Sequence, residues 1–362
     1  MNQGRRWLFL GILAASVTLL PGFCWAQSQD DLQAAQQQKK AVEQQKQDPE
    51  QEYTEEEYDA YDKAVKEPDL GKRPAALIAF MEKYPKSKLQ PHIVFAYESL
   101  LFEYQKAGDS QKLLPLAEQW LKFFPNDLKL FAYITEAAQK LGQDAKVIEY
   151  GQKVYAQRPS AQVAFLIYQT YQKMKDTPKQ QEWGLKLLEY PEFNDNFEIR
   201  MQYVIKYVNE KNLPKAAEYA YLTLKSLDLA KKPEAASNGD WNKAVTFVRR
   251  TSHDVIGMNL YERGKYNEAI EALRKALAVE MYDTAWYYIA LAQWKLQEIE
   301  DAIQSFAIAE LLKGEFQAKA KENCELLYKE THNGNLTAID KVYRKAQAAI
   351  DAGVKIDLIV RK

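Results

Sequence analysis

The sequence predicts an all-α protein, built as a solenoid of about seven to eight degenerate helix pairs. Helix breakers are scarce, because the 362 residues include only 14 glycines and 13 prolines, while 47% are hydrophobic. Turn and stop signals also recur at one spacing: Gly108 and Gly142 lie 34 residues apart, and so do Pro125 and Pro159. A period of this length accommodates one pair of helices per repeat.

The stretch YERGKYNEAIEALRKALAVE shows how one helix pair is encoded. Gly264 is a helix stop, because glycine readily adopts the left-handed conformation that closes a helix. Ala269, Leu273 and Ala276 then fall on one face of the following helix. Two alanines on that face let a neighbouring helix approach closely, and the leucine fills the remaining space. The pattern predicts an antiparallel helix pair.

Copies of this pattern extend along most of the chain. They occupy residues 54–87, 94–127, 128–161, 162–192, 197–230 and 250–283, a further copy with Trp286, Ala302 and Phe306, and a degenerate closing repeat around Gly334. In this series the chain resembles the tetratricopeptide repeat (TPR) family. The resemblance implies a right-handed α-solenoid in which the first helix of each repeat lines an inner wall that binds proteins or peptides.

Residues 1–26 have the features of a secretory signal peptide. Two arginines precede an apolar run, and small residues precede Gln27, which predicts cleavage after Ala26. The apolar run is shorter than the roughly 20 residues that span a bilayer. We therefore expect an exported protein, located in the periplasm of a Gram-negative bacterium, with an uncleaved membrane anchor as the alternative.

Composition divides the rest of the chain. The glutamine-rich residues 27–52 contain too few large apolar side chains to bury, which predicts a disordered tether. Two arrays of repeats follow, at 53–230 and 240–353, separated by a surface loop or hinge at 231–239. Residues 354–362 alternate apolar and polar residues, so this tail either packs or frays at the chain end, or adds as a strand to a partner's sheet.

No pattern of catalytic, cofactor-binding or metal-binding residues stands out. The three histidines lie in different repeats, and no phosphate-binding glycine loop or nucleophile motif is present. The formal net charge of −1 gives no bulk attraction to nucleic acid. Cys324 would be the one cysteine of the mature chain and is expected to be a small buried hydrophobe, with an intermolecular disulfide as the alternative. We expect a non-enzymatic protein without a cofactor.

Helical spacing identifies candidate partner contacts on the first helices of the repeats. Apolar side chains interrupted by single charges on such a wall suit an extended peptide or a helix laid into a groove. The candidates are Phe95, Phe102, Lys173, Met258, Tyr261, Tyr287, Leu291 and Trp294. Tetratricopeptide proteins that clamp a C-terminal carboxylate use lysines and asparagines along this wall. The corresponding places in this chain are Glu98, Phe102, Gln105, Ala132, Glu136 and Gln139, which argues against such a clamp.

A narrower resemblance covers residues 76–108, where a helix is expected to end at Tyr-Pro-x-Ser. This stretch is similar to repeats in Gram-negative envelope proteins, including the periplasmic Tol–Pal-associated coordinator family and outer-membrane-assembly lipoproteins. It implies a scaffold or adaptor that binds a protein or peptide in the cell envelope. Two alternatives remain open: an enzyme or accessory protein acting on cell-wall or glycan material, and a structural homo-oligomer.

Overall fold

The structure, a computed structural model, describes residues 53–353. Within this range it contains sixteen α-helices and no strand, and consecutive helices form eight pairs, which confirms the predicted all-α solenoid. The described residues divide into two compact units at Leu187 and Leu188. The predicted signal peptide, glutamine-rich tether and apolar tail lie outside the described residues.

The first unit contains four helix pairs. They are α1 Glu55–Val65, α2 Arg73–Lys83, α3 Gln90–Ala107, α4 Ser110–Trp120, α5 Leu128–Lys140, α6 Asp144–Gln157, α7 Ala161–Lys173 and α8 Thr177–Leu188. Large side chains meet in its core, and within the pair α3–α4 the rings of Tyr97 and Trp120 stack with centroids 3.9 Å apart. The helix α2 ends at Lys83, just before Pro85, as the Tyr-Pro motif predicts.

The second unit also contains four helix pairs. They are α9 Phe197–Asn209, α10 Leu213–Leu229, α11 Asn238–Glu262, α12 Tyr266–Leu277, α13 Asp283–Lys295, α14 Ile299–Leu311, α15 Gln317–Thr331 and α16 Ile339–Asp351. At 25 residues, α11 is much longer than its partner α12. Its first turn is capped by the Ser237 hydroxyl, which accepts a hydrogen bond from the backbone N–H of Asp240.

The predicted turn glycines adopt the left-handed conformation. Gly108, Gly142, Gly264 and Gly334 have φ between 69° and 78°. Three turns without glycine use the same conformation at Lys175 (φ 59°), Lys211 (φ 57°) and Gln297 (φ 65°). These three repeats therefore keep the backbone of the turn and accept the cost of a side chain there.

The small residues of the repeat at 250–283 bring α11 and α12 together, as predicted. Ala269, Leu273 and Ala276 are fully buried on α12. On the facing helix, a Cβ added to Gly257 would lie 2.5 Å from Leu273 Cγ and 3.3 Å from the backbone oxygen of Ala269. The absence of a side chain at Gly257 is therefore what allows the leucine to fill this contact.

The predicted loop at 231–239 lies inside the second unit, whereas the division between the units falls at Leu187 and Leu188. The loop joins α10 to α11, and α11 already begins at Asn238. Apolar side chains hold the helices together across this loop: the rings of Phe197 and Trp241 meet edge to face at 5.9 Å. Continuous packing across the loop explains why the chain does not divide there.

No helix among residues 53–353 is both long enough and apolar enough to cross a membrane.

Candidate partner-binding face

The first helix of each pair carries the predicted contacts, and in the second unit these are α11 and α13. We call the surface formed by Met258, Tyr261, Tyr288, Leu291 and Trp294 the A-helix face of this unit. All five side chains are half-buried, so each keeps part of its apolar surface in solvent. Two neighbouring helices thus present adjacent aromatic and aliphatic groups.

Tyr287, also a predicted contact, lies beneath this face with 9% of its surface exposed. Its ring stacks on Phe316 at 4.5 Å and tilts against Phe306 at 5.7 Å. The amide of Asn323 donates to its hydroxyl at 3.5 Å. Tyr287 is therefore placed to support the exposed aromatic rings above it.

Four half-buried rings form a continuous cluster at one end of the A-helix face. We call Tyr261, Tyr266, Tyr288 and Phe316 the aromatic patch. Tyr261 contacts Tyr266 and Tyr288 with centroids 5.7 Å apart in both cases, and Tyr288 meets Phe316 edge to face at 5.9 Å. Spacing within one helix did not identify Tyr288 or Phe316, because the patch is assembled from three successive repeats.

A buried carboxyl group lies near the start of the second half of α11. The Tyr282 hydroxyl donates a hydrogen bond to Asp254. Burial raises the pKa of Asp254 to about 7, although the Tyr282 hydrogen bond and the charge of Arg250 lower it in part. Arg250 itself pairs with Glu280 at 2.5 Å, and its guanidinium lies 5.1 Å from the Tyr282 ring.

The predicted contacts of the first unit have a different setting. Phe95 and Phe102 on α3 are half-buried. Lys173, on α7, is exposed, and its Nζ forms an ion pair with Asp144 Oδ1 at 2.7 Å. The unit therefore has two half-buried phenylalanine rings on α3, and its predicted cationic contact is already paired with Asp144.

Other polar groups of that face also pair across repeats. Glu98 forms an ion pair with Lys129, with Oε2 and Nζ 3.6 Å apart. The side-chain amide of Gln105 donates a hydrogen bond to Glu136 Oε2 at 2.5 Å. A small depression lies beside Glu136. It is lined by Ala132, Thr135, Glu136, Gln139, Val154, Val163 and Leu166.

The residues that could carry chemistry are dispersed. Among residues 53–353, no three histidine, cysteine or acidic side chains come together in a way that could hold a metal ion. Cys324 is fully buried, as predicted, with its Sγ 3.6 Å from the carbonyl oxygen of Ile303. Burial raises the pKa of this thiol to about 12, which keeps it protonated.

Comparison with known proteins yields structural likenesses only. No protein-family model matches the chain, and no curated protein sequence matches it. Among solved structures, it is similar to a tetratricopeptide repeat protein from Parabacteroides merdae, with 15% identity and a TM-score of 0.29, over 76% of this chain and 99% of that one.

Two yeast structures are also similar. One is the TPR2AB domain of Sti1 in complex with pHSP90, with 17% identity and a TM-score of 0.28, over 81% of this chain and 97% of that one. The other is Tom70, with 12% identity and a TM-score of 0.36, over 87% of this chain and 62% of that one. At such identities and scores, what those proteins bind carries no weight for this chain.

Proposed function

We propose that this protein is a non-enzymatic scaffold that binds an extended or helical segment of a partner protein on the A-helix face of its second unit. The observation that carries the proposal is the set of five half-buried apolar side chains on α11 and α13, two helices that contact each other through the rings of Tyr261 and Tyr288. Aromatic residues dominate the binding energy of protein interfaces because they bury a large area with little loss of side-chain freedom. Contiguous apolar surface on a folded protein marks such contacts.

The proposed setting is the envelope of a Gram-negative bacterium. It is supported by the signal-like pattern of residues 1–26 and by the resemblance of residues 76–108 to envelope repeats. If the proposal holds, the protein is released from host cells by osmotic shock, and its first residue is Gln27. An unprocessed chain that begins at Met1 and is found in the cytosolic fraction would contradict the proposed setting. It would not bear on the proposed binding face.

Photo-crosslinking in the host cell tests the binding face directly. A photoreactive amino acid placed at Leu291 is expected to crosslink a defined partner protein. The matched control is the same residue at Tyr221, a side chain on α10 that is 54% exposed and lies outside the A-helix face. Crosslinks from Leu291 alone support the proposal, whereas no crosslink from Leu291, or equal products from both positions, would refute it.

A further inference from the structure

The first helix pair has a groove between α1 and α2, which we call the alanine groove. Its lining residues are spaced at i, i+3, i+4 and i+7 along each helix. They are Ala60, Lys63, Ala64 and Glu67 along α1 and its C-terminal end, and Ala76, Ala79, Phe80 and Lys83 on α2, with Tyr84 at one end. This is the spacing by which one helix contacts another. The ring of Tyr61 lies 6.1 Å from the His92 ring of α3, so the groove lies on a different side of α1 from that contact.

Short side chains form most of the walls of the alanine groove. Ala79 is exposed, and Ala60 and Ala76 are half-buried. Because alanine side chains are short, a further helix can approach both walls closely, just as the buried Ala269 and Ala276 of α12 allow α11 to approach. The groove therefore fits a helix that has small side chains of its own.

The packing of the later pairs indicates which helix belongs beside α1. In each later pair of the first unit, the first helix contacts the second helix of the pair before it: α3 contacts α2, α5 contacts α4, and α7 contacts α6. Within residues 53–353, no helix precedes α1. A helix formed by the chain before Tyr53 would supply the contact that α1 lacks.

The preceding stretch of the chain has the composition of such a helix. Residues 31–47 contain no glycine or proline and consist mainly of glutamine, alanine and lysine, which favour helices. On a helix, Leu32, Ala35 and Val42 share one face. This face is too small to form a core of its own, but its side chains suit alanine walls. Pro49 follows closely and would end the helix.

The chain enters α1 at one end of the alanine groove. Lys83 Nζ lies 2.9 Å from Glu56 Oε1, so the start of α1 lies beside the end of α2. Tyr53 packs on α1, with its ring 5.8 Å from that of Tyr58. Residues 48–52 would join the two helices, and their number lies within the about two to eight residues that commonly connect antiparallel helices. A helix at 31–47 can therefore run back along the groove.

We propose that residues 31–47 form a helix that docks in the alanine groove, antiparallel to α1, and completes the first unit. A second copy of the chain is the competing occupant. The attached segment has the advantage, because its short connection gives it a high effective concentration at the groove. This inference does not depend on the proposed scaffold function, which concerns the second unit.

Disulfide trapping in the purified protein tests where the segment lies. Ala79→Cys is combined, one variant at a time, with Ala34→Cys, Ala35→Cys, Ala41→Cys or Val42→Cys. At least one pair is expected to close within a single chain under mild oxidation, because docked helices bring some Cβ atoms within the about 4 Å that a disulfide needs.

The matched control series replaces Ala79→Cys with Ala156→Cys, at an exposed position on α6 outside the alanine groove. The native Cys324 is fully buried and should not compete. Closure with Ala79→Cys alone supports the docked helix. Failure of every pair, or equal closure in both series, would overturn it. Disulfides that join two chains would also overturn it, because they assign the groove to a second copy.

Amide hydrogen exchange tests the helix without added cysteines. Residues 31–47 should exchange roughly tenfold more slowly in the protein than in an isolated peptide of residues 27–52, because single helices of this length are marginal in water. Ala79→Glu places a charge in the groove and should remove this protection, whereas Ala156→Glu should leave it intact. Slow exchange of the α2 amides identifies variants that have folded. Peptide-like exchange in the wild type, or protection that survives Ala79→Glu, would contradict the proposal.

Discussion

The two units share one repeat pattern, but their first helices present different surfaces. In the first unit, charged and polar groups bind each other across repeats, as Glu98 does with Lys129 and Lys173 with Asp144. In the second unit, the corresponding helices α11 and α13 contribute Tyr261 and Tyr288 to the aromatic patch, and these two rings contact each other. A partner that docked beside Glu98 or Lys173 would meet charges that are already paired, whereas one that docked beside Tyr261 would meet half-buried aromatic rings.

This difference shows which part of a helical repeat is constrained. Side chains between the helices, such as Leu273 and Phe306, are fully buried and must fit their neighbours. Side chains on the solvent-facing side of the first helices are only half-buried, so they are less constrained by their neighbours. Their chemistry is therefore free to differ between units that fold alike, and function has to be inferred from that side.

The largest effect on stability is expected from truncating a side chain that packs between α11 and α12 in the second unit. Leu273→Ala leaves a cavity against Gly257, so we expect a loss of about 2–5 kcal/mol in unfolding free energy, measured by urea denaturation. The control Leu222→Ala truncates a side chain that is 38% exposed and should cost much less. Equal losses would show that the α11–α12 contact is not a well-packed core.

The buried carboxyl of Asp254 should make stability depend on pH. Its pKa is raised to about 7 when folded, so the folded state binds more protons than the unfolded state between the two pKa values. Stability should therefore fall by about 2–3 kcal/mol as pH rises from 5 to 8, and Asp254→Asn should remove that fall.

Urea denaturation at several pH values measures this effect. Asp228→Asn is the matched control, because Asp228 is an exposed carboxylate on α10 whose partner is Arg249 at 2.9 Å. An Asp254→Asn variant that keeps the full pH dependence would show that Asp254 is ionised at neutral pH in the folded protein.

Truncations on the first helices of the two units should affect partner binding differently, with a smaller change in free energy than the two stability effects above. Leu291→Ala with Trp294→Ala should weaken binding of the crosslinked partner roughly tenfold, since two apolar contacts are truncated. The parallel pair Phe95→Ala with Phe102→Ala, on the first unit, should change the affinity less than roughly threefold. Titration calorimetry with the partner measures both, and the reverse order would move the binding face to the first unit.

The smallest effect is expected at Lys173. Replacing it with methionine removes the ion pair with Asp144 but keeps much of the aliphatic stem. Because the lysine side chain is 62% exposed, the free energy of unfolding, measured by thermal denaturation, should change by less than about 1 kcal/mol. A larger loss would mean that paired charges stabilise the first unit more than surface ion pairs usually do.

The helix pairs and their turns were easier to predict from the sequence than the side chains that form the A-helix face. Recurring glycines and buried alanines reveal helix pairs because local conformation and close helix packing both limit the residue type. Left-handed turns at Lys175, Lys211 and Gln297 left no such signal, because these residues adopt that conformation only where the repeat imposes it.

The candidate site was predicted only in part, for a related reason. Tyr261 and Leu291 follow from helical spacing, and both are half-buried on the A-helix face, although whether they bind a partner remains a prediction. Tyr288 and Phe316 join Tyr261 only when successive repeats stack, and the contact between Asp254 and Tyr282 spans 28 residues. Such contacts depend on how repeats fit against each other, which the pattern of a single repeat does not contain.

The length of α11 has a mechanical consequence. Its 25 residues correspond to a rod of about 37 Å, since each residue adds 1.5 Å. The first half is held by α10, through contacts such as Arg249 with Asp228, and the second half is held by α12. One continuous helix is thus shared by two repeats. These repeats cannot separate or rotate independently unless α11 bends or unfolds.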